Sequence, residues 1–426
     1  MEVRPGYKQT EVGVIPEEWK VACLEDLVTA GPKNGYSGRS GKDARGTPTL
    51  SLAATSSGYL ILNDETVKRL NETIGPRSDL FLKSGDVLVE RSNTSELVGT
   101  TSVFDGPSGV YVYPDLMMRL RFKDQATAHW FWRYANSANG RRFFVSIAAG
   151  STGSMPKISG EKLRKMRLPA PPPPEQRAIA GALGDVDALL GALEKLIAKK
   201  RDLKQAAMQQ LLTGQTRLPG FTAKWGVKRL GEVVQLIPSG IYGEEKPRGD
   251  LLAFPVATTA HIEEDDTWNN KAMAVRYFSQ EQITRYSTVE GDLIIVKSSG
   301  SAAKIQSGKI GFVDKERAGK FLFSNFLMLL RPTSIAPRSL YFYLCSHNVK
   351  KLLPTLVEAS TYPNIRLADY LDLEIPIPSP DEQIAIGAVL SDMDAEIAAL
   401  EQRLAKTRDL KQGIMQELLT GKTRLI

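Results

Sequence analysis

The chain has 426 residues, of which 42% are hydrophobic and 24% charged, and its formal net charge is +7 with an isoelectric point near 9.1. The apolar share is ordinary for a globular protein and excludes wholesale disorder. The two cysteines, Cys23 and Cys345, exclude a disulfide scaffold, and no Cys/His pair has zinc-finger spacing. No apolar run is long enough to cross a membrane and no signal-peptide core follows Met1, so we expect a cytoplasmic protein with no membrane partner.

The first element to recognise is an internal repeat. The segment from Glu175 to Leu218 recurs from Glu382 to Leu425 at an offset of 207 residues, without a gap. The repeated motifs are Glu-Gln at the start, Arg-Asp-Leu-Lys-Gln in the middle and Leu-Leu-Thr-Gly-x-Thr-Arg-Leu at the end. Chance does not produce a match of this length, so the sequence indicates a duplication.

The stretches before the two copies correspond more loosely. Trp19 aligns with Trp225, and the segment from Ser84 to Val89 aligns with that from Glu290 to Ile295. Each half therefore holds a variable body and a constant segment. We predict four segments with the boundaries 1–168 (first body), 169–218 (first constant segment), 219–375 (second body) and 376–426 (second constant segment).

Each constant segment is predicted to be one long helix. A proline-rich lead precedes each segment and a Thr-Gly pair closes it, as is typical of helix ends. Apolar residues recur in steps of three and four, which indicates a coiled coil. The step changes near Arg201 and Arg408 before the pattern resumes at Leu203 and Leu410. The residues predicted to pair the helices or to dock other subunits are Leu183, Val186, Leu190, Leu193, Ile197, Leu203, Leu390, Met393, Ile397, Leu400, Leu404 and Leu410.

The connectivity favours an antiparallel helix pair. The second body begins soon after the first helix ends, and the second helix leaves that body directly, so it runs back along the first. A helix of about 38 residues spans ~57 Å, which is longer than a small domain is wide. We therefore expect the two bodies at opposite ends of a rod, with the chain termini close together. Two separate amphipathic helices, each on its own body, are the alternative.

The positive charge lies in the bodies, since the two constant segments together carry no net charge. Basic heads on a pseudo-two-fold axis would suit two half-sites on a DNA duplex. An ordinary imbalance of surface charge remains the alternative.

The bodies are predicted to be α/β with short strands, and polar loops follow the strands that begin at Asp86 and Asp292. Basic, Ser and Asn side chains in such loops can bind bases or phosphates, although solvated turns would have the same composition. We also expect Arg141 and Arg142 on a solvated helical face. The candidate DNA-binding residues are Lys33, Asn34, Tyr36, Arg39, Lys42, Arg91, Ser92, Asn93 and Lys157 in the first body, and Tyr242, Lys246, Arg248, Lys297, Ser298, Ser299, Asn364 and Arg366 in the second.

Catalytic constellations are absent from the sequence. The three histidines have no sequence partners that suggest a metal site or a triad, and no G-x-G-x-x-G follows a strand. Gly421-Lys422-Thr423 resembles the end of a P-loop, but the required first glycine is replaced by Gln416. We therefore expect no catalytic or metal site in this chain.

With its duplicated motifs and its opening from Tyr7 to Trp19, the whole chain resembles a specificity subunit of a type I restriction–modification system. The resemblance implies an α+β chain in which two α/β target recognition domains are separated by two long antiparallel helices. Each domain would read half of a bipartite, asymmetric site on double-stranded DNA. The helices would fix the spacer and dock two modification subunits, which bind S-adenosylmethionine. Restriction subunits that translocate DNA with ATP and magnesium would complete the assembly.

Three alternatives stay open. The first is the DNA-reading subunit of a methylation-only or type II relative, and the second is a protein scaffold with peptide-binding heads on a coiled-coil spacer. The third is an enzyme with an unrecognised site.

Overall fold

The fold is that of a computed structural model, in which two units each combine one body with parts of both long helices. The first unit comprises residues 1–193 and 403–426, and the second comprises residues 194–402. The four predicted segments are consecutive in sequence, whereas each of these units draws on both halves of the chain. The structure describes residues 4–41, 44–150, 155–301, 304–358 and 363–425.

In the first unit, three short strands and a one-turn helix come first, the main strands follow, and three helices and a last strand precede the long helix. The strands are β1 (Tyr7–Thr10), β2 (Gly13–Pro16), β3 (Lys20–Cys23), β4 (Val28–Asn34), β5 (Ser40–Gly41), β6 (Pro48–Leu50), β7 (Val67–Leu70), β8 (Val87–Glu90), β9 (Thr101–Val103), β10 (Met117–Phe122) and β11 (Arg167–Ala170). The helices are α1 (Leu24–Leu27), α2 (Gln125–Asn136), α3 (Ala138–Ile147), α4 (Gly160–Arg164) and the long α5 (Pro173–Leu211), which continues into the second unit.

The second unit repeats this order with additional short strands. The strands are β12 (Gly226–Arg229), β13 (Val234–Ile237), β14 (Leu252–Ala257), β15 (Ala274–Phe278), β16 (Leu293–Val296), β17 (Gly300–Ser301), β18 (Lys304–Ile305), β19 (Ile310–Phe312), β20 (Leu322–Phe323), β21 (Leu327–Pro332), β22 (Val357–Glu358), β23 (Asn364–Ile365) and β24 (Glu374–Ile377). The helices are α6 (Leu230–Val233), α7 (Gln280–Tyr286), α8 (Pro337–Cys345), α9 (His347–Leu356), α10 (Leu367–Leu371) and α11 (Pro380–Leu419).

Both bodies contain the same four-stranded antiparallel sheet. Its strand order is β4-β10-β8-β9 in the first unit and β13-β21-β16-β19 in the second. The central strands β8 and β16 are fully buried, as the aliphatic run from Val87 to Val89 and that from Leu293 to Val296 predict. Each body also contains a three-stranded flanking sheet, with the strand order β5-β7-β6 in the first body and β15-β14-β20 in the second.

A repeated turn explains the Gly-Asp motif before each central strand. Gly85 and Gly291 both adopt φ of +92°, a conformation that favours glycine. The aspartates that follow are buried, and each carboxylate accepts a hydrogen bond from a backbone N–H of its own turn, at 2.9 Å for Asp86 and 2.8 Å for Asp292. Each also binds an arginine of the neighbouring strand, Arg121 of β10 for Asp86 and Arg331 of β21 for Asp292, and this ion pair holds the start of the central strand.

The two long helices pair in opposite directions. In the first unit, Ile179 and Leu183 near the start of α5 share a core with Leu418 near the end of α11. In the second unit, Leu211 at the end of α5 shares a core with Ile386 near the start of α11. The antiparallel pairing and the continuous helices are therefore confirmed.

The sequence-based helix ends are also confirmed. Gly214 and Gly421 follow the helices with φ of +72° and +71°, the left-handed conformation expected of a glycine beyond a helix end. The hydroxyl of Tyr7 donates to the carbonyl of Gly421 at 2.8 Å, so the two ends of the described chain lie close together, as the connectivity predicts.

The predicted change of step near Arg201 and Arg408 is wrong. The three-and-four pattern continues through Lys200 and Lys204 and, in the second helix, through Thr407 and Lys411. These lysines reach carboxylates on the opposite helix, with Lys200 at 2.6 Å from Glu396, and so they replace apolar residues in the seam. Leu203 and Leu410 are consequently exposed, at 48% and 61%, and they do not pair the helices.

The other predicted pairing residues lie along the seam. Five of them, Leu183, Leu193, Ile197, Leu390 and Ile397, are buried. The remaining ones, which are Val186, Leu190, Met393, Leu400 and Leu404, are half-buried.

In each unit, one cluster of Glu, Trp and Arg side chains brings the repeated Glu-Gln motif into contact with the repeated Thr-Arg-Leu motif. The Glu–Trp–Arg cluster of the first unit joins Glu175 at the start of α5, Trp19 and Arg424, and its equivalent in the second unit joins Glu382, Trp225 and Arg217. Both glutamates are fully buried. The indole Nε1 of Trp19 donates to Glu175 at 2.7 Å, and that of Trp225 donates to Glu382 at 2.9 Å.

The arginine of each cluster follows the other long helix. Arg424, after α11, binds Glu175 at the start of α5, and Arg217, after α5, binds Glu382 at the start of α11. The Arg217 guanidinium holds the pKa of Glu382 below its usual range, even though burial acts to raise it. The adjacent glutamines complete the helix starts, since Gln176 and Gln383 donate to carbonyls of the proline-rich leads at 2.8 and 2.9 Å.

Candidate DNA-binding surfaces

In each body, three segments that carry candidate DNA-binding residues meet at one end of the four-stranded sheet. In the first unit, the backbone N–H of Ile158 donates to the carbonyl of Arg91 at 2.9 Å, and Ser92 forms a β-bridge with Lys157. The loop after β4 joins the same end, because the N–H of Tyr36 donates to the carbonyl of Tyr113 at 2.8 Å. Segments far apart in sequence thus form one surface, the first loop surface.

The second unit repeats this arrangement with other side chains. The N–H of Ile365 donates to the carbonyl of Lys297 at 2.9 Å, and Ser298 forms a β-bridge with Asn364. The N–H of Ile241 donates to the carbonyl of Phe323 at 2.8 Å. These segments form the second loop surface.

Two glycines allow the close approach of the loops. A Cβ at Gly35 would lie 2.1 Å from the carbonyl oxygen of Tyr113, and one at Gly240 would lie 1.9 Å from that of Phe323. These contacts also set the alignment of the bodies, in which Tyr36 corresponds to Ile241.

Most of the candidate side chains of the first loop surface are accessible. Lys33, Asn34, Arg39 and Lys157 are exposed, and Arg91 is half-buried. Lys33 and Asn34 belong to β4 rather than to a flexible loop, and the Lys33 ammonium lies 2.9 Å from Asp79.

Tyr36 is half-buried in the same surface. A hydrogen bond to Glu72 raises the pKa of its hydroxyl. Lys42 lies outside the described residues.

Two candidates of the first body are internal, and their prediction as DNA contacts is corrected. Ser92 is 1% exposed and Asn93 is 7% exposed. The amide of Asn93 donates to the buried carboxylate of Glu90 at 2.7 Å, and that carboxylate also accepts from Thr55 at 2.9 Å and Ser56 at 2.7 Å. Burial raises the pKa of Glu90 despite these donors. Asn93 therefore joins two loops from inside.

In the second body, every candidate side chain is exposed or half-buried. Those of Tyr242, Lys246, Arg248 and Arg366 are exposed, and those of Lys297, Ser298, Ser299 and Asn364 are half-buried. Loss of hydration lowers the pKa of Lys297, whose ammonium donates to the carbonyl of Pro238 at 3.2 Å. Arg366 lies 2.8 Å from Asp369, so part of its charge is compensated within the body.

The structure adds residues that the sequence analysis missed. Lys68 and Arg69 are exposed on β7, which pairs with β5, the strand that follows Arg39. In β15 of the second body, the guanidinium of Arg276 lies over the Tyr242 ring, 5.0 Å from its centroid. The adjacent Lys68 and Arg69 could have been recognised from the sequence as a basic pair on a short strand. The Arg276–Tyr242 contact could not, because it depends on the strand pairing.

Among the described residues, no group of three or more His, Cys, Asp or Glu side chains is arranged to hold a metal ion. Across the same part of the chain, none of the helices combines the length and the hydropathy needed to span a bilayer.

Comparison with known proteins gives a consistent result. The family model described as the type I restriction modification DNA specificity domain matches twice, over residues 16–204 and 222–407. The putative type I restriction enzyme MjaX specificity subunit of Methanocaldococcus jannaschii is 23% identical, and the alignment covers 98% of this chain and 97% of that protein. The MjaVIII specificity subunit of the same organism is 24% identical over 96% of this chain and 94% of its own.

Solved structures show the same fold. The S subunit of a type I restriction–modification system from M. genitalium has a TM-score of 0.56 and 15% identity, with 98% of each chain covered. A chain from a study of assembly and conformational transition in a type I system has a TM-score of 0.52 and 16% identity, and the match covers 96% of this chain and 99% of that one.

Proposed function

Because the chain belongs to the family of type I restriction–modification DNA specificity subunits, we propose that its two bodies read the two halves of one bipartite duplex site. The observation that carries the proposal is the repetition of one loop surface in two bodies with different side chains. Arg91 and Lys157 stand in one body where Lys297 and Asn364 stand in the other. A shared scaffold with unlike contact residues suits an asymmetric recognition sequence.

The flanking sheets differ in the same way. In β7 of the first body Lys68 and Arg69 are exposed. In β15 of the second body Ala274 and Val275 are exposed, whereas Arg276 is half-buried over the Tyr242 ring, with Glu245 3.4 Å from its guanidinium. Cations on the first sheet favour contacts with phosphates, and apolar groups on the second favour contacts with base edges such as the thymine methyl. The two half-sites should therefore differ in sequence and in the salt dependence of their binding.

The helix pair is proposed to fix the distance between the half-sites. Helices of 39 and 40 residues are on the scale of one and a half turns of B-DNA, at ~1.5 Å per residue and ~34 Å per turn. Two modification subunits that bind S-adenosylmethionine would dock on these helices. Restriction subunits that use ATP and magnesium would join them, so the chain itself would supply recognition and no chemistry.

Selection from a pool of random duplexes tests this function. The full chain is incubated with the modification subunit of its own system, and the bound DNA is sequenced. We expect a split motif with two unlike halves and a spacer of fixed length. Retention of DNA without sequence preference, or enrichment of one continuous motif, would contradict the proposal.

A further inference from the structure

A cavity of about 840 Å³ lies in the second unit, between α8 and the paired long helices. Its wall includes the aromatic rings of Tyr341 and Phe342 and the paired side chains of Lys204 and Asp394. Thr267 also lines it, and the side chain of Thr267 is turned back to bind Asp265 at 2.6 Å.

The first unit has an aromatic side chain in the corresponding place. The ring of Tyr59 meets Trp132 of α2 edge to face, with 5.4 Å between the ring centroids. Its hydroxyl donates to Asp187 of α5 at 2.8 Å, and the Lys411 ammonium lies 5.0 Å from its ring centroid. Burial acts to raise the pKa of Asp187, but Lys411, Tyr59 and Arg133 together hold that pKa below its usual value.

Backbone contacts establish which residues correspond. The Trp132 indole donates to the carbonyl of Gly58 at 2.7 Å, and the Tyr341 hydroxyl donates to the carbonyl of Asp266 at 2.8 Å. Gly58 and Asp266 both have left-handed backbones, with φ of +81° and +65°. The next residue is Tyr59 in the first unit and Thr267 in the second.

The polar partners of Tyr59 correspond as well. Asp187 and Lys411 of the first unit become Asp394 and Lys204 at the repeat offset of 207 residues, and in each unit the lysine pairs with the aspartate. The second unit therefore keeps the carboxylate, the ammonium and the aromatic wall that hold Tyr59, but it lacks the phenol ring.

We infer that the cavity binds a tyrosine side chain from a protein partner. The ring would pack on Tyr341 beneath the Lys204 ammonium, and its hydroxyl would donate to Asp394. Ala398 and Arg201 are exposed at the rim, and both belong to the long helices on which we have proposed that modification subunits dock. The partner assigned is therefore a tyrosine-bearing segment of the modification subunit bound at the second unit, and this assignment rests on the proposed function.

N-acetyl-L-tyrosinamide tests the chemistry of the cavity without any partner. Saturation-transfer NMR on the full chain should show binding of one probe molecule in the millimolar range. Thr267→Tyr supplies the missing ring from within and should abolish that binding, whereas Thr333→Tyr, the same change at an exposed position outside the cavity, should preserve it. Tyr59→Thr should create a second probe site. Absence of probe binding to the unaltered chain would overturn the inference.

Titration with the modification subunit tests the partner. Thr267→Tyr should weaken one of the two binding events about tenfold and leave the other unchanged. Ala398→Trp, which obstructs the rim instead, should have the same effect. Full affinity in both variants would overturn the partner assignment. Failure of the unaltered chain to bind any modification subunit would overturn the proposed function together with this partner, while the probe result still decides the chemistry of the cavity.

Discussion

Arg424 binds Glu175 through two hydrogen bonds, Nε to Oε1 at 2.5 Å and Nη2 to Oε2 at 3.0 Å, although 249 residues separate them in the chain. The contact joins the segment after the second long helix to the start of the first. Because Arg217 and Glu382 repeat it in the second unit, the same pair of motifs closes both units.

Removal of Arg424 should destabilise the first unit. In Arg424→Ala the fully buried carboxylate of Glu175 retains, among the described residues, the Trp19 donor alone. The incompletely paired charge costs about 2–3 kcal/mol of unfolding free energy, because solvent reaches the pair from the side of Arg424, which is 23% exposed. Urea denaturation of the full chain measures this loss. Lys406→Ala, on the exposed face of α11, serves as the control. An equal loss of unfolding free energy in that variant would show that the Arg424–Glu175 pair makes no specific contribution to stability.

Acid should weaken the second unit through Glu382. Its pKa is lowered in the folded chain, so the unfolded chain binds protons more readily as the pH falls. The stability that Glu382 contributes is fully present above its ordinary pKa of 4.5 and is lost as the pH falls toward the lower folded value. Thermal midpoints between about pH 6 and pH 3 should fall less steeply in Glu382→Gln than in the unaltered chain. Glu281→Gln, at an exposed position, provides the control. If the midpoints of Glu382→Gln and of the unaltered chain fell in parallel with pH, Glu382 would not be the origin of the acid sensitivity.

Gly240 should not tolerate a side chain. In Gly240→Ala the new Cβ would overlap the carbonyl oxygen of Phe323, so the loop must shift at a cost of about 1–3 kcal/mol. Gly226→Ala is the matched control, because nothing lies within 4 Å of a Cβ at that position. Equal unfolding free energies for the two variants would contradict the close approach of the loops.

The two loop surfaces should act on separate half-sites. Arg91→Ala should relax or weaken recognition of one half, and Lys297→Ala that of the other. Loss of a phosphate contact lowers the salt slope of binding by about one, whereas loss of a base contact costs about 1–3 kcal/mol at one position. Binding of duplexes mutated in either half, with modification subunits present, separates these effects. Lys123→Ala, just beyond the opposite end of β10, is the control, and a change in both halves from a single variant would contradict the assignment.

The repeat and the helix pair could be predicted because their signals are local and periodic. Motif spacing fixed the helix ends at Gly214 and Gly421, and connectivity alone indicated the antiparallel direction. The change of step was predicted wrongly because lysines at helix-pairing positions interrupt the run of apolar residues, although the spacing of three and four continues. Only the carboxylates of the opposite helix, such as Asp394 opposite Lys204, show that the pattern continues.

The loop surfaces could be predicted only in part. Arg91 and Lys157 were both recognised as candidates, but their proximity comes from strand pairing that no sequence window contains. Ser92 and Asn93 were misassigned because a polar loop after a buried strand has the same composition whether its side chains face water or a buried carboxylate. The cavity beside Thr267 could not be predicted from the sequence. It is recognised as a binding site only by comparison with the other unit, where Tyr59 fills the equivalent place.

The most direct test of the account shortens the helix pair. Deletion of residues 190–196 and 402–408 removes seven residues from each helix and leaves the ion pairs of Asp187 with Lys411 and of Lys200 with Glu396 in place. Loss of one heptad shortens each helix by about 10 Å, or about three base pairs of DNA. The shortened chain, selected on random duplexes with its modification subunits, should recover the same two half-sites with a spacer about three base pairs shorter. Recovery of the original spacer would contradict the central claim that the helices set the distance between the two readers.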